Sequence, residues 1–375
     1  MSFARSAAKT EASPHDDTLR RLRVPPSLFA IALGLAGLGE AWHAATPALG
    51  TPQAVPDAVN ILAAVAWLAL VTAYAAQGPR QILADLHHPV LAPFVPLAAI
   101  TAMILAAALA RDAFAAARIL VIVFLAVAIA AGGWLTGQWT AGDLSQDSAH
   151  PGYYLPAVAG GLVGASAAAQ VHLHAIAEAS FGIGFLCWII LGSIVWNRLF
   201  FRSRLPAALL PTLAIELAPP VLAGLAYFAL TGGATNFIAA ALGGYAVLMA
   251  LVQLRLLPVY AKLKFTPGFW AFTFPAAAAA TFALRWITLE KPPAGTAYAI
   301  IVIALLTGLI AAIAARTVFA ATQGQLLFGA HAAASRGSGP PSYPAGRTAA
   351  APRPRKEGSE PLAQPKERGS GSPPR

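Results

Sequence analysis

Very few ionisable side chains fall within the long apolar runs of this sequence, and these few are the first candidates for chemistry. Glu216 lies about ten residues into one run, just before the Pro219-Pro220 pair, while Glu40 and Arg285 lie toward the ends of two other runs. An ionisable group is costly to bury, so it usually has a function or a partner. Glu216 is therefore expected either to relay protons or to bond to freed backbone groups or a neighbouring helix. Arg285 is expected to attract anions, to pair with Glu40, or to extend its guanidinium group to a polar boundary.

Other groups of reactive side chains match known chemistry poorly. Cys187 is the only cysteine, so neither a disulfide framework nor a cysteine metal site is available. His172, His174 and Glu178 are ligand-type residues, but their spacing is not a zinc signature. The sequence has neither paired acidic motifs for metal-bound diphosphates nor the helix motif of zinc proteases. We therefore expect no metal site, no cofactor and no enzymatic activity.

The composition is typical of an integral membrane protein. Hydrophobic residues make up 58% of the 375 residues and charged residues only 11%, whereas soluble domains have about 25% charged residues. The mean hydropathy is +0.65. In a soluble chain the net charge of +10 would favour nucleic-acid binding, but here Lys and Arg are concentrated in the two tails and a few loops. The composition thus excludes a soluble enzyme and a nucleic-acid binder, and it predicts a chain embedded in a lipid bilayer.

Ten apolar runs are long enough to cross a bilayer as helices, because a hydrocarbon core of about 30 Å takes about 20 helical residues. None has the alternating pattern of a membrane β-strand. We therefore predict an all-α protein with ten transmembrane helices, in the runs 26–46, 55–77, 91–110, 114–138, 151–172, 175–199, 206–231, 235–257, 268–288 and 297–321.

The distribution of Lys and Arg predicts that both termini are cytoplasmic. With a cytoplasmic N-terminus, 21 of the 25 Lys and Arg residues fall on the inner side of the membrane, as the positive-inside rule requires. The predicted organisation is a cytoplasmic N-terminal tail (1–24), a ten-helix domain in the cytoplasmic membrane (25–325) and a cytoplasmic C-terminal tail (326–375). This last segment is rich in Pro, Gly and Ser, so we predict that it is disordered.

Prolines in or near the interior of an apolar run fall in the odd-numbered runs, whereas the even-numbered runs have prolines only at their ends (Pro56, Pro258) or none. A proline inside a helix frees backbone groups, and in a bilayer these groups must face protein or water. The odd-numbered helices are therefore predicted to line an interior path, with the even-numbered helices outside them. Glycines at 34 and 160 are predicted to allow close packing of helices or to leave space in the lumen. The residues assigned to kinks and lining are Pro156, Pro219, Pro220, Pro275, Gly34 and Gly160.

Three stretches together indicate a family. They are PSLFAIALGLAGLGEAW (26–42), PTLAIELAPP (211–220) and FWAFTFP (269–275). With ten helices and cytoplasmic termini, the chain resembles the tellurite-resistance/dicarboxylate transporter (TDT) family, which includes the slow-type anion channels of plant guard cells. The resemblance covers about residues 24–325.

The resemblance implies five helical hairpins in a quasi-fivefold arrangement around a central pore, which the odd-numbered helices form. It also implies a homotrimer in which each subunit has its own pore. In the family a phenylalanine of the ninth helix plugs the pore, and Phe274, next to Pro275, is the matching residue. Phe272 is two residues away, and on an ideal helix the two side chains point about 200° apart, so only one can face the pore.

The functional hypothesis is a gated anion channel or facilitator that passes small inorganic or organic anions. Few fixed cations would line its pore, so binding should be weak and weakly hydrated anions should be favoured. Arg285 and Glu40 would lie at the outer mouth. The alternative is a proton-coupled secondary transporter that exports C4-dicarboxylates, sulfite or tellurite-type oxyanions, and Glu216 is its best support.

Overall fold

The computed structural model describes residues 23–142 and 144–323, and every regular element in these ranges is helical, which confirms the predicted all-α class. In chain order the eleven α-helices are α1 (Phe29–Leu49), α2 (Ala54–Ala75), α3 (Pro79–His87), α4 (Leu97–Ala108), α5 (Phe114–Ala141), α6 (Gly160–Gln170), α7 (His174–Phe201), α8 (Ala218–Thr231), α9 (Phe237–Tyr260), α10 (Thr273–Glu290) and α11 (Gly295–Thr322).

Nine helical segments of the described chain are long and apolar enough to cross a membrane. The predicted run at 151–172 is different, because its helical residues are divided among a 3-10 turn (Pro151–Tyr153), a π-helical segment (Leu155–Ala159) and α6. Residues 151–165 are all buried. This run is therefore helical, but no single element in it reaches the length of a membrane span.

The spanning helices form an inner and an outer layer. In their most apolar stretches, buried residues make up between 50% and 72% of the spans that contain α1, α4, α8 and α10, but only between 11% and 28% of α2, α5, α7, α9 and α11. A helix that is apolar all round and buried on one side only presents its other side to lipid or to a partner. The odd-numbered predicted helices are thus inside and the even-numbered ones outside, as the proline pattern indicated.

The inner helices form a closed ring in chain order. Helix α1 packs against α4, α4 against α6, α6 against α8 and α8 against α10, and α10 packs in turn against α1. Each outer helix packs on the inner helix that precedes it in the chain, so that α2, α5, α7, α9 and α11 cover α1, α4, α6, α8 and α10. The ring therefore has an axis that the outer helices shield.

Prolines occur where the inner helices begin. Irregular helical turns, 3-10 or π, precede all five inner α-helices. Pro156 belongs to the π-helical segment, Pro219 and Pro220 are the second and third residues of α8, and Pro275 is the third residue of α10. Proline costs little there, because the first N–H groups of a helix have no partner within it. The expectation of prolines in mid-helix is thus corrected.

Two glycines allow α6 and α7 to approach each other closely. A Cβ atom on Gly161 would lie 2.6 Å from the backbone nitrogen of Gly184, and one on Gly184 would lie 2.7 Å from the backbone nitrogen of Leu162. Backbone atoms cannot move aside as the end of a flexible side chain can. Only glycine therefore fits at these two positions.

This contact predicts that Gly184→Ala destabilises the fold by about 1–3 kcal/mol, the usual cost of overpacking. The measurement is the thermal midpoint of the purified protein in detergent. Gly182→Ala is the matched control, because a Cβ atom at Gly182, in the same helix, has nothing within 4 Å. Equal midpoints for the two variants would contradict the predicted role of this contact.

The short helix α3 anchors the beginning of the described chain. Asp85 is fully buried and forms an ion pair with Arg23, and it also accepts hydrogen bonds from Tyr74 (3.1 Å) and Gln81 (3.0 Å). The predicted tails 1–24, apart from Arg23 and Val24, and 326–375 lie outside the described residues. Their boundaries, cytoplasmic location and disorder stay predictions.

Candidate functional site

The ring of inner helices encloses two cavities. The large cavity has a volume of about 480 Å³ and lies mainly between the C-terminal halves of the inner helices. The small cavity has a volume of about 40 Å³ and lies between their N-terminal ends. Residues from all five inner segments line both cavities. In the large cavity these include Gly37, Ile104, Val163, Leu225 and Ala278. In the small cavity they include Leu33, Leu97, Leu155, Ala218 and Ala271.

Leu222 and Phe274 separate the two cavities. They are the residues that line both, and they come from the neighbouring inner helices α8 and α10. Phe274 is 7% exposed. Two apolar side chains thus lie where the two cavities meet.

The beginning of α10 and a glycine of α1 position the Phe274 ring. Phe274 is the second residue of α10, where the preceding 3-10 turns give way to the α-helix. A Cβ atom on Gly37 would lie 3.1 Å from Cδ2 of Phe274 and 2.9 Å from Cβ of Ala277, so glycine leaves the space that the ring occupies. Phe272 lies elsewhere, with its ring centroid 4.8 Å from that of Tyr260. Of the two phenylalanines, Phe274 is the one that lines the two cavities.

The two cavities differ in polarity. The small cavity has no charged residue among the described residues that line it, and Tyr154 and Trp270 are its lining residues with a polar side-chain atom. The large cavity has a polar lining in addition to its apolar residues. These polar residues are Glu40, His43, Ser166, Gln170, Thr281 and Arg285.

Arg285 and Glu40 both line the large cavity without pairing. In the described part of the chain, neither side chain has an ion pair or a hydrogen bond, although α1 and α10 are neighbours in the ring. The hydroxyl groups of Ser166 and Thr281 donate to the backbone carbonyls of Leu162 (3.3 Å) and Ala277 (2.9 Å). Those two hydroxyls are therefore engaged with the backbone, and Arg285 is the Lys or Arg residue among the described residues that line the cavity.

Glu216 lies behind the wall of the small cavity. It is 4% exposed, lines neither cavity, and accepts a hydrogen bond of 3.2 Å from the Tyr154 hydroxyl through Oε2. Its Oε1 atom is buried and has no hydrogen-bond partner among the described residues. Tyr154 is thus the link between this carboxyl group and the small cavity.

The predicted lining residues divide into two groups. Pro219 and Pro275 line the small cavity, whereas Pro156, Pro220, Gly34 and Gly160 line neither cavity. Gly34 serves packing instead, because a Cβ atom there would overlap Thr273 of α10. A Cβ atom on Gly160 would have Ala128 of α5 as its nearest neighbour, at 3.8 Å.

Sequence reasoning did not single out Gln170 or Leu222, which both line the large cavity. Gly37 stands among the glycines of the first run, which were expected to allow close packing or to leave space in the lumen. Leu222 carries no usable signal, since leucines are frequent throughout these helices. Within the described ranges no three His, Cys, Asp or Glu side chains converge to hold a metal ion.

Comparison with known proteins agrees with this architecture. The tellurite resistance protein TehA homolog of Haemophilus influenzae is 31% identical over 264 residues, which are 69% of this chain and 80% of that protein. The S-type anion channel SLAH3 of Arabidopsis thaliana is 25% identical over 184 residues, which are 48% of this chain and 29% of that protein. The family model described as SLAC1, voltage-dependent anion channel, matches residues 23–318. The match covers the whole ring of inner helices and both cavities, so this multi-pass membrane protein belongs to the SLAC1 anion channel family.

Proposed function

We propose that this protein is a gated anion channel of the cytoplasmic membrane, with transport rather than catalysis as its activity. The observation that carries the proposal is the closed ring of inner helices around two cavities that meet at Phe274 and Leu222. Small anions would cross from one cavity to the other along the axis. Phe274 would close this path, and displacement of its ring would open it.

The topology that this function needs is ten membrane crossings in five hairpins with both termini in the cytoplasm. The nine spanning segments support it, and the largely buried helical run at 151–170 would be the tenth crossing. An interrupted helix inside a membrane protein is tolerated where protein surrounds it, and residues 151–165 are all buried. On this topology residues 25–325 are the channel domain, and the large cavity opens to the outer side.

The lining of the path supports passage without tight binding. The small cavity is apolar, so an anion there would lose part of its hydration without gaining a fixed cation in return. Weakly hydrated anions such as nitrate should therefore pass this part more readily than chloride. The prolines at 219 and 275 would line this narrow part of the pore.

We also propose that the protein forms a homotrimer, each subunit with its own pore. The outer helices support assembly or contact with lipid, because they expose large apolar side chains such as Leu186, Leu254 and Leu305. A path enclosed by the helices of one subunit would not depend on the trimer for its lining.

A proton-coupled exporter of C4-dicarboxylates, sulfite or tellurite-type oxyanions is the second candidate. The position of Glu216 favours it, because the Tyr154 hydroxyl connects this buried carboxyl group to the small cavity. The name of the Haemophilus influenzae relative, a tellurite resistance protein, also fits an exporter.

Anion flux into proteoliposomes with an imposed pH gradient separates the two candidates. With the membrane potential clamped, a channel should pass nitrate at a rate that does not depend on the pH gradient. A coupled transporter should accumulate its anion against the gradient of that anion when the pH gradient is imposed. Accumulation by the intact protein that Glu216→Gln abolishes would replace the channel by the exporter.

A further inference from the structure

The charges at the large cavity are arranged as a dipole rather than as a ring of cations. Glu40 lies on α1 and Arg285 on the neighbouring helix α10, and both line the same cavity of about 480 Å³. No ion pair joins them, and no other described residue pairs with either. One basic and one acidic side chain thus line a common cavity that is large enough for a small solute.

His43 adds a second donor beside Glu40. The Gln53 side-chain amide lies 3.1 Å from Nδ1 of His43. In this orientation of the amide, its nitrogen donates to Nδ1, and a neutral ring then carries its proton on Nε2. His43 also lines the large cavity, so its N–H group and the Arg285 guanidinium group are donors on neighbouring helices.

This arrangement discriminates between anions by whether they carry a proton. A halide or nitrate ion at Arg285 would be attracted by the guanidinium group and repelled by the Glu40 carboxylate, and the two effects would partly cancel. An oxyanion that keeps one O–H group has complementary chemistry at both ends. Its charged oxygen accepts from Arg285, and its hydroxyl group donates to the carboxylate in a charge-assisted hydrogen bond.

We propose that the large cavity is a binding site for singly charged oxyanions that carry a hydroxyl group, such as bicarbonate. Arg285 and His43 hold the charged oxygen atoms, and Glu40 accepts the hydroxyl hydrogen. This inference rests on the proposed channel function and deepens it, since the site lies in the path before the constriction. The large cavity thus selects by hydrogen bonding, whereas the small cavity selects by the cost of dehydration.

Bicarbonate and nitrate are the appropriate pair of probes. Both are planar, singly charged and have the same number of electrons, but only bicarbonate has a proton to donate. The bicarbonate-to-nitrate permeability ratio is measured from bi-ionic reversal potentials, with Phe274→Ala as the background. We expect the additional change Glu40→Ala to lower this ratio about tenfold, the effect of losing one hydrogen bond to a charged group. Glu178→Ala is the control, because it removes an exposed acid of α7 that does not line the cavity.

A second measurement does not depend on conduction. Bicarbonate should raise the thermal midpoint of the intact protein more than nitrate at the same concentration, and Glu40→Ala should remove this difference. An unchanged or higher permeability ratio in Glu40→Ala, with anion currents present, overturns the site but leaves the channel function intact. Selective stabilisation by bicarbonate without any anion current overturns the channel function and leaves the site.

Discussion

Replacing Phe274 by alanine should raise the anion conductance of the purified protein in planar bilayers by at least tenfold, where a tenfold change corresponds to about 1.4 kcal/mol of barrier. The ring is one of two side chains between the large and the small cavity. Its removal would join the two cavities into a wider and more hydrated path. Apolar constrictions block ions by excluding water, so widening one lowers the dehydration cost of passage.

Phe272→Ala is the matched control for this prediction. It removes the same side chain two residues away, where the ring packs on Tyr260 and Phe269 instead of lining a cavity. The conductance of this variant should remain near that of the intact protein. If both variants conduct alike, or if a well-folded Phe274→Ala protein stays closed, then Phe274 is not the plug.

Arg285→Glu should lower the nitrate conductance of the Phe274→Ala channel about tenfold or more. The change replaces the unpaired cation of the large cavity by a second carboxylate next to Glu40. Two unit charges about 4 Å apart interact by about 4 kcal/mol at an effective dielectric constant of about 20. Reversing the charge at position 285 should therefore raise the energy of a nearby anion strongly, even when the interaction is partly screened. The measurement is the single-channel current at matched nitrate concentration.

Arg118→Glu controls for a general change in surface charge. Arg118 is an exposed residue near the beginning of α5, and it does not line either cavity. Reversing its charge should have little effect, and high salt should screen what effect there is. Equal losses of current in the two variants would mean that Arg285 acts through the overall field and not through the cavity.

The layering of the helices was predictable from sequence because proline placement reports a physical constraint. The 3-10 or π-helical turns beside Pro156, Pro219 and Pro275 have irregular backbone that cannot face lipid, so the runs with these prolines were expected inside. The exact role of these prolines was not predictable. In mid-helix they would introduce kinks, whereas the structure places them at helix starts, where missing N–H groups cost little.

The candidate site was predictable only in part. The family resemblance assigned the proposed plug to Phe274, with Phe272 as the neighbouring alternative. Which of the two lines the cavities depends on where α10 begins, and the preceding 3-10 turns have a different periodicity. Leu222 was missed because nothing distinguishes it from other leucines. For Arg285 and Glu40 the sequence left open whether they pair, and only the packing of α1 against α10 shows that they face one cavity unpaired.

The most direct test of the channel proposal is the reversal potential of the Phe274→Ala protein in a potassium nitrate gradient across a planar bilayer. An anion-selective pore along the axis of the ring predicts a potential close to the equilibrium potential of nitrate. A potential close to that of potassium would contradict the account, since it would show that cations take the path between the two cavities.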